Sequence, residues 1–287
     1  MHTIAIIINN KAKNHTNAST YIDAFKDAGL SYKLYEVSPQ ELVLTIKKCI
    51  SKYEIILVGG GDGTIRTAAQ YCINTSSTLG VLPLGTLNHF SKELGLPQNP
   101  KEMIDSIQKN NTVKIDVGTV NGYVFVNNSS IGFYPQFAKK RDLYTRIYNK
   151  WLSYIPSFIY SLKKHRTISF EIKSKHLNCS LRTSFLMVSN NLYSYEFPVT
   201  FKRKSFQEAQ LGLYFLKKGN IRLLKIIKHL FTNDSQFEIH QSKSPIELHF
   251  SNKKEITISL DGDTQKVNVP LIFEIVPKAL TILTKPL

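Results

Sequence analysis

Short apolar runs alternate with amphipathic stretches through the first part of the chain. Ile4-Ala5-Ile6-Ile7-Ile8 reads as a buried strand, followed by a helix about Thr20 to Ala28, a strand from Tyr32 to Val37 and a helix about Pro39 to Ser51. A strand at Ile55-Ile56-Leu57-Val58, a helix through Ile65 to Tyr71, a strand from Leu79 to Leu82 and a helix starting near Leu87 continue the series. This βαβ rhythm predicts a mostly parallel sheet covered on both faces. After Asp116 strand follows strand: Tyr123 to Asn127, Thr167 to Ile172, Thr183 to Val188, Leu211 to Leu216, Phe237 to His240, Ile246 to Phe250, Ile256 to Leu260 and Leu271 to Val276. Turns such as Asn121-Gly122 and Asp261-Gly262 separate them, which predicts an antiparallel β-sandwich. The reading is α/β over residues 1–118 and all-β over 119–278, with a tail at 279–287 that returns to the first domain.

Composition sets outer limits. At 287 residues, 42% hydrophobic and 20% charged, the chain can fill two modest cores. Ile4 to Ile8 is too short for a signal core and lacks a basic leader, and no apolar run reaches membrane-spanning length. Cys49, Cys72 and Cys179 have neither metal nor redox spacing, so they read as reduced thiols that pack, in a cytoplasmic protein. Charge changes the picture more. Residues 1–118 carry a net +2 and residues 119–287 a net +14, in clusters such as Lys139-Lys140-Arg141, Lys163-Lys164-His165-Arg166, Lys202-Arg203-Lys204 and Lys217-Lys218. Such a field suits an anionic membrane surface or phosphorylated molecules; without any nucleic-acid module, nucleic acid is not expected, and a merely solvated face is the plain alternative.

Two strand-to-helix junctions carry the candidate chemistry. Gly60-Gly61-Asp62-Gly63-Thr64 follows a buried strand, and glycines there expose main-chain N–H groups with no Cβ in the way, which is how backbone approaches phosphate oxygens. Asp62 would repel a bare phosphate, so a cation or donor must lie between them, and kinase chemistry is the first hypothesis. Leu82-Pro83-Leu84-Gly85-Thr86-Leu87-Asn88-His89-Phe90 sits at the next junction. In an open parallel sheet, loops at neighbouring carboxyl ends of strands face one ligand.

These motifs, with Leu94-Gly95-Leu96-Pro97, Ile115-Asp116-Val117-Gly118, Phe125-Val126-Asn127-Asn128-Ser129-Ser130-Ile131-Gly132 and Leu260-Asp261-Gly262-Asp263, resemble the bacterial diacylglycerol kinase family of soluble lipid kinases, which includes sphingosine and ceramide kinases. The resemblance spans nearly the whole chain. It implies an NAD kinase/diacylglycerol kinase-like architecture: a Rossmann-like nucleotide-binding domain joined to a β-sandwich, with ATP and Mg²⁺ in the cleft and a lipid hydroxyl as acceptor. It implies nucleotide contacts from Gly60, Gly61, Asp62, Gly63, Thr64, Ile65, Arg66 and Thr86, support from Asn88, and further contacts from Asn9 and Ser38.

For the acidic pair, Asp261-Gly262-Asp263 on its own reads as a hairpin turn. With the resemblance, Asp261 and Asp263 become the catalytic candidates, because phosphoryl transfer to an alcohol gains from a base that accepts the hydroxyl proton. Similar proteins read Asp-Gly-Glu there, so Asp263 is shorter by about one methylene, roughly 1.5 Å of reach. Asn9-Asn10-Lys11-Ala12-Lys13 lacks the Pro and Gly usual after the first strand, and Glu208-Ala209 stands where the family tends to have an Asp-Gly that holds structural Mg²⁺. Glu208, with carbonyls of Ser205 and Gln210, is the resulting metal candidate.

Tyr144, Tyr148, Trp151, Ile155, Phe158 and Leu162 recur at helical spacing beside Arg146, Lys150, Lys163 and Lys164, a pattern suited either to packing on the sandwich or to peripheral association with the inner face of an anionic membrane. The leading function is an ATP-dependent lipid kinase acting on diacylglycerol or a related lipid alcohol. A soluble-substrate kinase such as an NAD kinase shares the Gly-Gly-Asp-Gly turn but has Asn-Glu where this chain has Ile65-Arg66-Thr67. A catalytically silent nucleotide or lipid binder is the third reading, and a homodimer is left open.

Overall fold

The computed structural model describes residues 3–86, 88–132, 167–196, 200–203, 205–216 and 237–285. The chain divides into two compact units, Met1–Val117 with Pro277–Leu287, and Gly118–Val276.

In the first unit, strands β1 (Ile4–Asn9), β2 (Tyr32–Val37), β3 (Ile55–Gly60) and β4 (Thr78–Pro83) alternate with helices α1 (Ala18–Asp27), α2 (Leu42–Ile50), α3 (Asp62–Cys72), α4 (His89–Glu93) and α5 (Pro100–Gln108). Pairing is parallel throughout, in the order β2-β1-β3-β4. Residues Ile4 to Ile8 are no more than 3% exposed. A strand buried on both faces needs such an unbroken apolar run, and each large side chain contributes about 1.5–3 kcal/mol by leaving water. Ile4, Ile6 and Ile8 pack with Tyr21 and Phe25 of α1 and with Met103 and Ile107 of α5. On the opposite face of the strand, by alternation, lie Ala5 and Ile7, and α2 packs on β1 and on α3.

Two helices of this unit depart from the sequence reading. Helix α3 begins at Asp62 rather than Ile65, so Gly63 lies in its first turn. Helix α5 was not foreseen, although Asn99-Pro100 announces it: the Asn99 side chain accepts from Glu102 N at 3.0 Å, and Pro100 occupies the first helical position, where no N–H is needed.

Strand β5 (Thr112–Val120) leads into the second unit, where β6 (Tyr123–Phe125), β7 (Asn128–Gly132), β8 (Ile168–Lys173), β9 (Asn178–Thr183), β10 (Phe185–Asn190), β11 (Tyr193–Glu196), β12 (Thr200–Arg203), β13 (Leu211–Leu216), β14 (Phe237–Ser242), β15 (Ile246–His249), β16 (Glu255–Leu260) and β17 (Asp263–Asn268) precede β18 (Leu271–Leu283). One antiparallel sheet runs β14-β13-β10-β7-β16-β17. A second set pairs β18, β15, β8 and β9, also antiparallel. Their inner faces share one core, with Phe170, Leu248 and Phe273 from the second set and Ile131, Val188, Leu213 and Ile258 from the first, as a sandwich requires. β18 runs on past Val276, and Ile282 pairs in parallel with Leu79 of β4.

The Tyr144 to Leu162 stretch, and the basic clusters at 139–141, 163–166 and 217–218, lie outside the described residues. Among the described residues no helix is long and apolar enough to cross a membrane.

Candidate active site

The first unit gathers its candidate residues at the carboxyl ends of adjacent parallel strands: Ser38 after β2, Asn9 at the end of β1, Gly60-Gly61 at the end of β3, and Pro83 to Gly85 at the end of β4. The chain winds from β1 outward to β2, then returns to β3 on the other side of β1. Such a reversal opens a crevice between β1 and β3, where open α/β sheets take their ligands. Asn9 spans it. Its Nδ2 donates to Thr64 Oγ1 at 2.9 Å while its Oδ1 accepts from Lys11 N at 3.0 Å, so a side chain orders the loop that lacks Pro and Gly.

The two glycine turns touch main chain to main chain. A Cβ built on Gly85 would lie 2.5 Å from Gly61 Cα and 2.6 Å from Asn88 Oδ1, and one on Gly60 would lie 2.5 Å from Thr64 Cβ. Asn88, at φ 51°, accepts from Gly85 N at 3.0 Å and donates to Pro83 O and Gly85 O at 3.0 and 3.1 Å. Its amide is thus engaged in shaping the loop. Asp62 Oδ1 accepts from Phe90 N at 3.3 Å, linking the start of α3 to α4. The N-cap of α3 is Gly61, which brings no capping side chain, so the main-chain N–H groups of the first helical turn form a cradle suited to phosphate. Thr86 is exposed beside it, Arg66 is half-buried, and Thr64 and Ile65 are buried.

Ser38 is locally committed: its Oγ and N both donate to Glu41 Oε2, at 2.7 and 3.0 Å, and these bonds, the hydroxyl's first, hold the Glu41 carboxyl below its ordinary range.

In the second unit, Asp261 and Gly262 form the two-residue loop between β16 and β17, with Leu260 opposite Asp263. Both have positive φ, 49° and 98°, the backbone a type I′ hairpin demands. The turn reading is therefore satisfied, and the two acids divide. Asp261 Oδ2 accepts from Val126 N at 2.8 Å, and its Oδ1 from Asn127 N and Asn128 N at 2.8 and 3.0 Å. A carboxylate held by three main-chain donors serves as an anchor. Asp263 is exposed at the head of β17.

The metal candidate is built differently from its expectation. Glu208 Oε2 accepts from Gln210 Nε2 at 2.6 Å, Gln210 O accepts from Asn191 N at 2.9 Å, and Ser205 Oγ accepts from Gln207 N at 3.0 Å. These bonds engage one Glu208 oxygen and the Gln210 carbonyl, and a single carboxylate is a poor set of ligands for a hard cation. Among the described residues no group of three or more His, Cys, Asp or Glu could hold a metal ion.

Three participants have no role in the sequence reading. Asn14 Nδ2 donates to Gly85 O at 2.9 Å, which no local pattern marks. Asp116 is fully buried and accepts from Lys278 N at 2.8 Å, a pairing 162 residues apart. Arg203 stood in a basic cluster and read as surface charge, yet it is 8% exposed and donates to Val126 O, Asn190 O and Asn127 Oδ1.

Residues 3–120 match the family model described as the diacylglycerol kinase catalytic domain. A candidate lipid kinase of Staphylococcus haemolyticus is 25% identical over 253 residues, covering 82% of this chain and 78% of that protein. A diacylglycerol kinase of Bacillus subtilis is 24% identical over 228 residues, covering 75% and 72%. The crystal structure of a candidate diacylglycerol kinase from Bacillus anthracis shares the fold, with a TM-score of 0.78 at 23% identity over 99% of this chain and 98% of that one.

Proposed function

We propose that the chain, whose residues 3–120 match the diacylglycerol kinase catalytic domain family, is an ATP-dependent lipid kinase that phosphorylates diacylglycerol or a related lipid alcohol at an anionic membrane surface. The observation that carries this reading is the contact between the Gly61 and Gly85 main chains at the carboxyl edge of the parallel sheet. Only glycine at position 85 permits that approach, and its product is a concentration of N–H dipoles at a helix start, the environment a triphosphate needs.

In the proposed reaction the lipid hydroxyl oxygen bonds to the γ-phosphorus of ATP, the bridging P–O bond breaks, and ADP leaves with the electron pair. Asp263 takes the hydroxyl proton; Asp261 holds the hairpin that presents it. The first turn of α3 and Thr86 hold the phosphates, and Asn9, Asn14 and Asn88 keep their loops in shape. Mg²⁺ arriving with ATP would offset phosphate charge beside Asp62.

The test is transfer from radiolabelled ATP to a panel of lipid alcohols in mixed micelles, with NAD as a soluble control. Labelled lipid phosphate is the expected product. Transfer to NAD alone, or nucleotide binding without turnover on any acceptor, would overturn the reading.

A further inference from the structure

Arg203 and Asp261 approach the segment Val126-Asn127-Asn128 from opposite ends of its peptide dipoles. The peptide joining Val126 to Asn127 shows this most directly: its carbonyl accepts from Arg203 Nη1 at 3.0 Å, and its N–H donates to Asp261 Oδ1 at 2.8 Å. A guanidinium at the oxygen end and a carboxylate at the N–H end both match the dipole of that one amide, so each charge strengthens the other's hydrogen bond. Around it, Arg203 Nη2 donates to Asn127 Oδ1 at 2.6 Å, and Asn190 donates to Val126 O and Asn127 O, both at 3.0 Å. The guanidinium lies 4.0 Å from the centre of the Phe206 ring and 4.9 Å from that of Tyr193, contacts that fix its plane.

We infer that Arg203 is a positioning residue for phosphoryl transfer, clamping residues 126–128 against the Asp261 carboxylate so that the hairpin carries Asp263 to one defined place. The inference rests on the lipid-kinase reading, in which Asp263 accepts the proton. Residues 126–128 hold Asp261 through three N–H donors to its carboxylate and through Asn128 O, which accepts from Asp261 N at 2.9 Å, and a segment released on its carbonyl side lets the whole hairpin shift. Displacement of a reacting group by about 1 Å costs on the order of 100-fold in rate.

The experiment compares Arg203→Met, Arg203→Lys, Asp261→Asn, the Arg203→Met/Asp261→Asn double variant and Asp263→Asn by steady-state transfer to dioctanoylglycerol, alongside amide hydrogen exchange at Val126, Asn127 and Asn128. Arg203→Met lowers kcat by roughly 10- to 100-fold with KM for ATP within about twofold. Arg203→Lys, keeping a cation without the planar fork, recovers part of the loss. The double variant is no slower than the worse single one, because the two charges act through one peptide. Exchange at the three amides quickens about tenfold or more in folded Arg203→Met; if that variant does not fold, Arg203→Lys carries the same measurement. An Arg203→Met enzyme with wild-type kcat and exchange, beside an inactive Asp263→Asn, overturns the inference alone. Full turnover in Asp263→Asn overturns the base assignment and the inference with it.

Discussion

The two units build their halves of the proposed chemistry from different material. In the first, the parts proposed to meet the nucleotide are main chain, and side chains such as Asn9, Asn14 and Asn88 spend their hydrogen bonds holding loops. In the second, two acids two residues apart divide the work, with Asp261 bound to three N–H groups and Asp263 exposed. A backbone site is specified by what is missing, a Cβ at Gly85. A carboxylate site is specified by what grips it. Substitution should therefore damage the two units in different ways.

The largest stability effect is expected in the second unit. Asp261→Ala leaves three main-chain donors without their charged acceptor, at about 1–3 kcal/mol each with part recovered by water, so unfolding in urea should show a loss of about 2–5 kcal/mol. Next comes Gly85→Ala, whose Cβ would sit 2.5 Å from the Gly61 backbone. It should cost about 1–3 kcal/mol and weaken ATP binding, measured by calorimetry, by tenfold or more, since the cradle must open to admit it. Gly61→Ala sharpens the contrast: its Cβ meets Gly85 Cα at an ordinary 3.5 Å and its φ is −87°, so the stability loss should stay under about 1 kcal/mol.

A pH effect falls on the first unit and shows only in alkali. Burial pushes the Cys72 thiol from 9.0 up to about 12, and burial followed by the Glu102 charge pushes Tyr21 from 10.0 up to about 12. Raised folded values mean that both contributions are intact below pH 9 and are lost as pH climbs toward 12. Thermal melts between those limits should show a falling midpoint, with Cys72→Ala and Tyr21→Phe each flattening the decline.

The fold was legible wherever a hydrophobic pattern and a turn signal agreed. β2 was read to the residue, and the glycine junctions marked where strands end. Helix α5 was missed because its apolar positions are few, though its Asn-Pro start was in plain view. The site was less legible for a physical reason. Motif residues adjacent in sequence declare themselves, but Asp261 is satisfied by amides more than 130 residues away, and Arg203 donates to oxygens of residues 126–127 and of Asn190 in β10. No local pattern distinguishes an arginine in a basic run that faces water from one turned inward on carbonyls. The Glu208 to Gln210 turn is similar: one Glu208 oxygen accepts from the Gln210 amide and the Gln210 carbonyl accepts from Asn191 N, contacts that no local pattern announces.

The central claim is that the first unit holds the nucleotide while Asp263 of the second moves the proton. Phosphate transfer from radiolabelled ATP to diacylglycerol by Asp263→Asn, with the Kd for ATP measured on the same preparation, tests it most directly. The account predicts transfer reduced by about 100-fold or more with Kd unchanged within about twofold. Transfer at the wild-type rate, or a loss of transfer that follows a matching loss of ATP affinity, would contradict it.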